Sequence, residues 1–263
     1  LLLLTLDYTV GSVVEGMYKR SPWGPNWTKE NWLLDQQPDF IVFGSSRSLR
    51  HYVPSIIAEE LELSIFNAGQ NGQYLLYSYA LEQLVLEHYT PKVIVLDILP
   101  SFIIKLENPR EEFERLSALS PFIYNSAVRQ LLTRQEFFEG LKYQSKMFRF
   151  NSRILSIMDN FFARRITVDN GYEIVGDLRY HDRNPFIVDV LKTIEIDSFK
   201  LNLFRQFFST AQEKGVAAFA VFSPVSEPVS APVQQTLAIY RTLFRELNVP
   251  FLDFSADIYA KDL

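Results

Sequence analysis

The sequence predicts an α/β protein in which helices cover both faces of a central, mostly parallel sheet, giving a three-layer α/β/α sandwich. Short apolar runs alternate with amphipathic helical segments along most of the chain. The strongest run, 93–98, is continuously apolar, which is typical of a strand buried on both faces of a parallel sheet. A block at about 102–195 interrupts the alternation, and we expect it to be a helical insertion.

The first part of the alternation follows an N-terminal helix. Residues 1–20 are predicted to be helical, and the prolines at 22 and 25 end that helix. Residues 26–38 are predicted to be a polar lead-in. Strands and helices are then expected to alternate, beginning with a strand: 40–43, 55–63, 64–66, 74–89 and 93–98. Short loops between these elements favour right-handed crossovers.

The insertion contains several helix-like segments and an irregular loop at 167–185. The predicted helices are 111–119, 126–132, 135–148 and 152–162. Phenylalanines are frequent in this block, and we expect them either to line an acyl or membrane-facing groove or to form a satellite core. The alternation then resumes, beginning with a helix: 196–214, 216–222, 233–247 and 250–254. One domain, 26–263, is therefore expected after the N-terminal segment 1–25.

Composition excludes several classes of function. The chain has 263 residues and a net charge of −5, with its basic residues dispersed, so nucleic-acid binding is not expected. It has no cysteine, which excludes disulfides and thiolate metal sites. Its three histidines lack metal-ligand spacing, and no glycine-rich phosphate loop is present. We therefore expect neither a metal nor another cofactor.

The chain opens with five leucines among its first six residues. Residues 1–14 alone are too short to span a bilayer, but they are expected to be the outer end of a membrane anchor. Basic and aromatic side chains that often mark a membrane interface follow: Lys19, Arg20, Trp23, Trp27 and Trp32. The alternative is an ordinary amphipathic first helix.

Three polar loops follow three successive predicted strands. They are Gly44-Ser-Ser-Arg47, Asn67-Ala-Gly-Gln-Asn-Gly72 and Asp97-Ile-Leu-Pro-Ser101. Open α/β sheets bind ligands at the carboxyl ends of their strands, so the three loops are expected to form one site. Ser46 is its candidate functional residue. The alternative is that the serines at 45, 46 and 48 only cap the next helix.

These three loops resemble the motifs of the SGNH (GDSL-like) hydrolase superfamily, in particular a membrane-anchored bacterial branch with Gly-Ser-Ser in place of Gly-Asp-Ser. The resemblance covers about 39–101 and the final αβαβ portion, and it implies a flavodoxin-like sheet. It makes Ser46 the nucleophile, and Asn67 and Gly72 match the second block. The backbone N–H groups of Ser46 and Gly72 would form the oxyanion hole, while Ser101 stands where the third block normally has an asparagine.

The resemblance leaves open which residues bind the substrate and which residue acts as the general base for Ser46. Arg47, Asn67 and Asn71 are expected to contribute to binding. For Arg47 two alternatives remain, contact with an anionic group or an ion pair with an acidic residue such as Asp97. The family's fourth block, Asp-x-x-His, does not occur in this sequence. We expect the catalytic Asp and His to lie beyond Leu263. Two other candidates for the base are His51 and His181, whereas His88 is expected to be structural.

The function implied by the resemblance is that of a serine esterase or O-acyltransferase. Its substrate would be an acyl ester, with acetyl the expected group, on a cell-envelope glycan or lipid. The protein would be anchored to the bacterial inner membrane, with its domain in the periplasm or outside the cell, beside a membrane-bound acyltransferase. The alternative is a catalytically incomplete module that binds a partner protein or a glycan. Ser101 and the missing Asp-x-x-His favour that alternative.

Overall fold

The computed structural model describes residues 1–20, 29–134, 139–163, 169–173, 194–225 and 228–256. The predictions made for Trp23, Trp27 and His181 lie outside these residues.

Five strands form one sheet, as the alternation of the sequence predicts. They are β1 (Phe40–Phe43), β2 (Ile65–Asn67), β3 (Val93–Asp97), β4 (Ala217–Phe222) and β5 (Phe251–Asp253). Their order in the sheet is β2-β1-β3-β4-β5, and all four pairings are parallel. This is the strand order of a flavodoxin-like, doubly wound sheet.

The helices alternate with these strands and fill the insertion. Before and between the first three strands lie α1 (Leu2–Arg20), α2 (Lys29–Gln36), α3 (Ser46–His51), α4 (Pro54–Leu61) and α5 (Leu75–His88). The insertion contains α6 (Pro109–Arg115), α7 (Ser126–Leu132), α8 (Glu139–Lys142) and α9 (Ile154–Ala163). The last two described helices are α10 (Ser198–Glu213) and α11 (Ala231–Glu246).

Helices pack on both faces of the sheet, because successive strand residues point to opposite sides. Ile41 and Phe43 of β1 enter the large core, which contains side chains of α5, α10 and α11. Phe40 and Val42 enter a smaller core, against which Ile57 of α4 packs. The predicted three-layer sandwich is therefore confirmed.

Two predictions about local structure were wrong. The lead-in at 26–38 contains the helix α2, which tertiary contacts hold in place: Lys29 and Glu30 are buried, and Trp32 packs against the large core. The predicted helix 135–148 is helical among its described residues only at α8. The carboxylate of Asp7 accepts hydrogen bonds from the backbone N–H groups of Lys146 (2.8 Å) and Met147 (3.1 Å), which favours a turn there.

A satellite core joins α1 to the insertion. Phe150 packs there with Val14 and Tyr18 of α1 and with Ile157 of α9, as one of the two alternatives for the phenylalanines predicts. Phe162 instead points to solvent, with 72% of its surface exposed. Within the described ranges, no helix combines the length and apolar character needed to cross a bilayer.

Burial of the Glu82 carboxyl group in α5 destabilises the folded protein when that group is ionised. The side chain is fully buried, and only one of its oxygens has a hydrogen-bond partner among the described residues, the Gln83 amide at 2.6 Å. Desolvation raises the pKa of Glu82 well above its usual value. The folded state therefore holds a proton that the unfolded chain releases at lower pH.

Replacing Glu82 with glutamine should stabilise the protein at neutral pH. In the wild type, the free energy of unfolding should fall as pH rises from the unfolded pKa, near 4.5, through the raised folded pKa. The amide of Glu82→Gln does not ionise, so its curve should be flatter over that range. Urea unfolding measured at several pH values tests this, and identical pH dependence in the two proteins would contradict it.

Candidate functional site

The three predicted loops meet at one edge of the sheet. The chain leaves β1 toward β2 on one side, whereas β3 lies on the other side of β1. The carboxyl ends of β1 and β3 therefore flank the point where the direction of winding reverses, which is where doubly wound sheets bind ligands. Ser46 is the first residue of α3, three residues after β1 ends at Phe43.

The turn between β1 and α3 requires a glycine. Gly44 has φ of +149°, and a Cβ there would lie 2.7 Å from Ser48 Oγ and 3.0 Å from the Asp97 carbonyl oxygen. The backbone of this turn is thus packed directly against α3 and the end of β3. That close packing fixes the direction in which the chain enters α3.

The three serines of this turn have different roles. Ser45 is the N-cap of α3, and its Oγ accepts a hydrogen bond from the backbone N–H of Arg47 at 3.3 Å. Ser48 Oγ donates to the Ser45 carbonyl oxygen at 2.8 Å. Ser46 is partly exposed, and its hydroxyl bonds to none of the described residues. Local hydrogen bonds therefore account for two of the serines, one as the N-cap and one within α3, and leave Ser46 available.

The second loop is packed against the first. The backbone N–H of Gln70 donates to the Gly44 carbonyl oxygen at 3.2 Å. A Cβ on Gly69 would lie 2.1 Å from Ser48 Oγ and 2.6 Å from the backbone nitrogen of Leu49. These contacts bring the second loop alongside the segment that carries Ser46.

Asn67 holds this arrangement together. Its side chain is fully buried, and its Nδ2 donates to the carbonyl oxygens of Ser48 and Tyr52, both at 2.8 Å. Its Oδ1 accepts from the backbone N–H of Gly69 at 3.0 Å. The amide that was expected to contribute to binding is thus engaged at both ends with main chain, and it ties the end of α3 to the second loop.

Two backbone N–H groups in these loops remain unused. Neither that of Ser46 nor that of Gly72 donates to a residue in the described part of the chain. Gly72 has φ of +66°, and a Cβ there would lie 1.9 Å from Nη1 of Arg115 in α6. The insertion therefore places a guanidinium directly beside Gly72.

The third loop is joined to the first by a buried ion pair. Arg47 Nε lies 3.2 Å from Oδ2 of Asp97, and its Nη2 lies 3.0 Å from Oδ1. The same guanidinium also bonds the Ile98 carbonyl oxygen and lies 4.4 Å from the centre of the Phe222 ring. Of the two alternatives for Arg47, the structure shows the ion pair with Asp97.

Ser101 lies in a 3₁₀ turn at 100–102 and is partly exposed. Its hydroxyl bonds to no residue that the structure describes, while its carbonyl oxygen lies 3.5 Å from Lys200 Nζ. That ammonium is buried and pairs with Glu112 of α6 at 2.6 Å. Lys200 of α10, paired with Glu112 of the insertion, thus holds the third loop in place.

No described histidine forms a hydrogen bond with Ser46. His51 ends α3, and desolvation lowers its pKa, although Asp97 opposes that shift. His88 Nδ1 lies 2.8 Å from the Leu84 carbonyl oxygen at the end of α5, in keeping with the structural role expected for it. The described residues thus contain the candidate nucleophile and two donors, but not a paired base.

Residues 169–173 of the insertion brace the second loop from outside. The Asp169 carboxylate accepts from the backbone N–H of Ser55 at 3.1 Å and from its hydroxyl at 2.8 Å, which caps α4. The backbone N–H of Asn67 donates to the Asn170 carbonyl oxygen at 2.8 Å. This short segment therefore contacts both α4 and the start of the second loop.

Lys29 of α2 links the same two segments. Its buried Nζ donates to the carbonyl oxygens of Gly69 and Gly171, the latter at 2.9 Å. Desolvation lowers the pKa of Lys29 to about 7, against the opposing effect of Glu30 and Glu173. Asn71, which was expected to contribute to binding, donates from Nδ2 to Oε2 of Glu173 at 3.1 Å.

Sequence reasoning missed Lys29, Arg115, Asp169 and Glu173. The turn signal Asp169-Asn-Gly171 was present, but it shows only that the chain turns, not what the turn contacts. The partners of these residues are up to 142 positions away along the chain, beyond the reach of any local pattern.

No known family model matches the chain, and a search of curated proteins finds no significant relative. Among the residues whose positions are described, no group of three or more histidine, aspartate or glutamate side chains is arranged to hold a metal ion.

Replacement of the first two serines should separate capping from function. Ser45→Ala removes the N-cap of α3 and should lower the free energy of unfolding by about 1 kcal/mol. Ser46→Ala removes an unbonded, partly exposed hydroxyl, so its effect should stay within about 0.5 kcal/mol. Denaturant unfolding of both variants measures the difference. An equal loss would show that Ser46 is also a structural residue.

The tight contact at Gly69 can be tested with a second glycine as control. Gly69→Ala should destabilise the protein by about 1–3 kcal/mol, because its methyl group would overlap Ser48 and Leu49. At Gly16, in α1, a Cβ meets nothing within 4 Å, so Gly16→Ala should stabilise by about 0.5–1 kcal/mol. Thermal and urea unfolding measure both effects. Equal effects would mean that the two loops are not packed as described.

Proposed function

We propose that this protein is a serine esterase or O-acyltransferase of the SGNH type, with Ser46 as nucleophile. One observation carries the proposal. Of the three serines in its turn, Ser46 is the one whose hydroxyl makes no hydrogen bond to a described residue, and it lies where the winding of the sheet reverses. The unused N–H groups of Ser46 and Gly72 support it, because acyl transfer needs donors for the oxyanion.

The proposed reaction begins when Ser46 Oγ attacks the carbonyl carbon of an ester. The negative charge that develops on the carbonyl oxygen is stabilised by the N–H groups of Ser46 and Gly72, with the Ser101 hydroxyl as third donor. The bond to the leaving alcohol breaks, and that alcohol takes the proton that a base removed from Ser46. Water or a second hydroxyl then accepts the acyl group. In this proposal the base comes from outside the described residues.

The substrate class rests on the resemblance of the three loops to the SGNH family. We propose an acyl ester, with acetyl the expected group, on a cell-envelope glycan or lipid, and a membrane-bound acyltransferase as the partner. The proposed location is the bacterial inner membrane, with the domain in the periplasm or outside the cell.

A catalytically incomplete binding module is the second candidate. The absence of a described base beside Ser46 favours it. So does the use of Arg47 and Asn67 within the fold, since Nε and Nη2 of Arg47 and both ends of the Asn67 amide are already hydrogen-bonded there.

Turnover of small acetyl esters and of an acetylated oligosaccharide distinguishes the two candidates. If the proposal is right, the wild type turns over these esters and Ser46→Ala lowers kcat by about a thousandfold or more. Ser45→Ala is the matched control and should retain turnover, because the Ser45 hydroxyl is used to cap α3.

Wild-type turnover that survives Ser46→Ala would contradict the proposed mechanism. Saturable binding of the oligosaccharide without turnover, measured by calorimetry, would instead support the binding module.

A further inference from the structure

One exposed side of α1 is an apolar stripe. Leu3, Leu6, Val10 and Val13 recur at helical spacing and are 79%, 54%, 36% and 63% exposed. The neighbouring stripe, about a quarter turn around the helix, contains the buried residues Gly11, Val14 and Tyr18 and faces the protein. Beyond the stripe, Leu1, Leu2 and Leu4 are more than 70% exposed. A free helix face of this size is unusual in water and indicates a binding surface.

The hydroxyl groups of this helix are bonded within it. Thr9 Oγ1 donates to the Thr5 carbonyl oxygen at 2.8 Å, and Ser12 Oγ donates to that of Tyr8 at 2.6 Å. Thr5 Oγ1 similarly donates to the Leu1 carbonyl oxygen at 3.2 Å. Such hydroxyls lose little when water is removed, so the polar residues of α1 are compatible with an apolar medium.

Two exposed tyrosines beside the stripe are paired with basic side chains. Lys146 Nζ lies 4.7 Å from the ring centre of Tyr8, and the guanidinium carbon of Arg149 lies 4.9 Å from that of Tyr124. The two tyrosines are 65% and 67% exposed. Tyrosine and basic side chains next to apolar surface are the usual composition at the level of lipid headgroups.

The surroundings of the stripe are positively charged, although the whole chain has a net charge of −5. Helix α1, residues 142–149 and α9 together contain five basic and three acidic side chains, the third acidic one being the exposed Asp159 of α9. The two carboxylates of α1 are engaged: Asp7 accepts from the backbone of Lys146 and Met147, and Glu15 pairs with Lys19 and Lys146. The charge of this surface is therefore complementary to anionic lipids.

Helix α9 extends the apolar area. It packs beside α1 through Ile157, while Leu155, Met158 and Phe162 are 82%, 42% and 72% exposed. These three residues are spaced i, i+3 and i+7, so they share one side of α9.

We infer that the exposed apolar stripes of α1 and α9 form a surface that binds an anionic lipid bilayer, with the apolar side chains at the boundary between headgroups and acyl chains. The basic residues at 142–149 contact the headgroups. This inference rests on the membrane location proposed above and assigns residues to it, but it is independent of the proposed chemistry, because none of these residues belongs to the Ser46 site. A second copy fits less well, since a two-fold interface would bring two positively charged surfaces together.

Vesicle flotation with the 263-residue chain tests the inference. The wild type should float with vesicles of phosphatidylcholine and phosphatidylglycerol, and more weakly with phosphatidylcholine alone or at high salt. The triple variant Leu3→Gln/Leu6→Gln/Val13→Gln should bind at least about tenfold more weakly than the wild type, because binding scales with buried apolar area. The matched control Ile56→Gln/Leu61→Gln changes residues of α4 that are 61% and 51% exposed, and it should bind like the wild type.

Circular dichroism shows whether the variants remain folded, and Lys19→Gln/Lys142→Gln provides a second test that leaves the apolar stripe intact. This charge variant should bind anionic vesicles severalfold more weakly. Equal binding by the wild type and all variants would overturn the inference. So would a lack of vesicle binding by the wild type; a dimer that the triple variant dissociates, detected by light scattering, would then show that a second copy covers the stripe. Loss of esterase activity in Ser46→Ala would not affect any of these results.

Discussion

The ion pair between Arg47 and Asp97 is the contact on which the carboxyl edge of the sheet depends. Arg47 comes from α3 after β1, and Asp97 ends β3. Oδ1 of Asp97 also accepts from the backbone N–H of Ser223 at 3.2 Å, just after β4. One carboxylate thus joins the ends of three strands. Both side chains are almost completely buried, so removal of either partner would leave an uncompensated charge in the core.

This ion pair also explains why Ser46 has a defined position. Ser46 directly precedes Arg47, so the pairing fixes the first turn of α3 relative to β3. On the other side, Asn67 fixes the last turn of α3 relative to the second loop. The side chains of Arg47 and Asn67, which the family resemblance predicts to contribute to binding, hold the backbone of the candidate site in place. The groups left available are the hydroxyls of Ser46 and Ser101, the Nη1 of Arg47 and two backbone N–H groups.

Most of the architecture could be predicted from the sequence, because it depends on local periodicity. The strands of the sheet and the helices α4, α5, α10 and α11 follow from apolar spacing, and their bounds agree within a few residues. Helix α2 could not be predicted, since its eight residues have little amphipathic character and are held by buried contacts of Lys29 and Glu30. The segment 135–148 failed for a related reason, because Asp7 of a distant helix bonds its backbone.

The candidate site was predictable to a smaller degree. Ser46 could be predicted as the candidate functional residue because it follows the end of a strand, and open α/β sheets place their sites at strand ends. Whether Arg47 meets a ligand or Asp97 depends on which group lies opposite, and the sequence does not contain that geometry. The same holds for Lys29, because the two carbonyl oxygens to which its Nζ donates lie far along the chain.

The bracing of the second loop by residues 169–173 has a consequence for folding. During synthesis, β1, β2 and the first two loops leave the ribosome long before the segment that supports them. The cap of α4 by Asp169 closes a separation of 114 residues, and the bond between Lys29 and Gly171 closes one of 142. Contacts of such long range form late, because their loop-closure entropy must be overcome first. Strands β1, β2 and β3 can therefore pair early, while the loop that carries Gly72 gains its final support only after the insertion has folded.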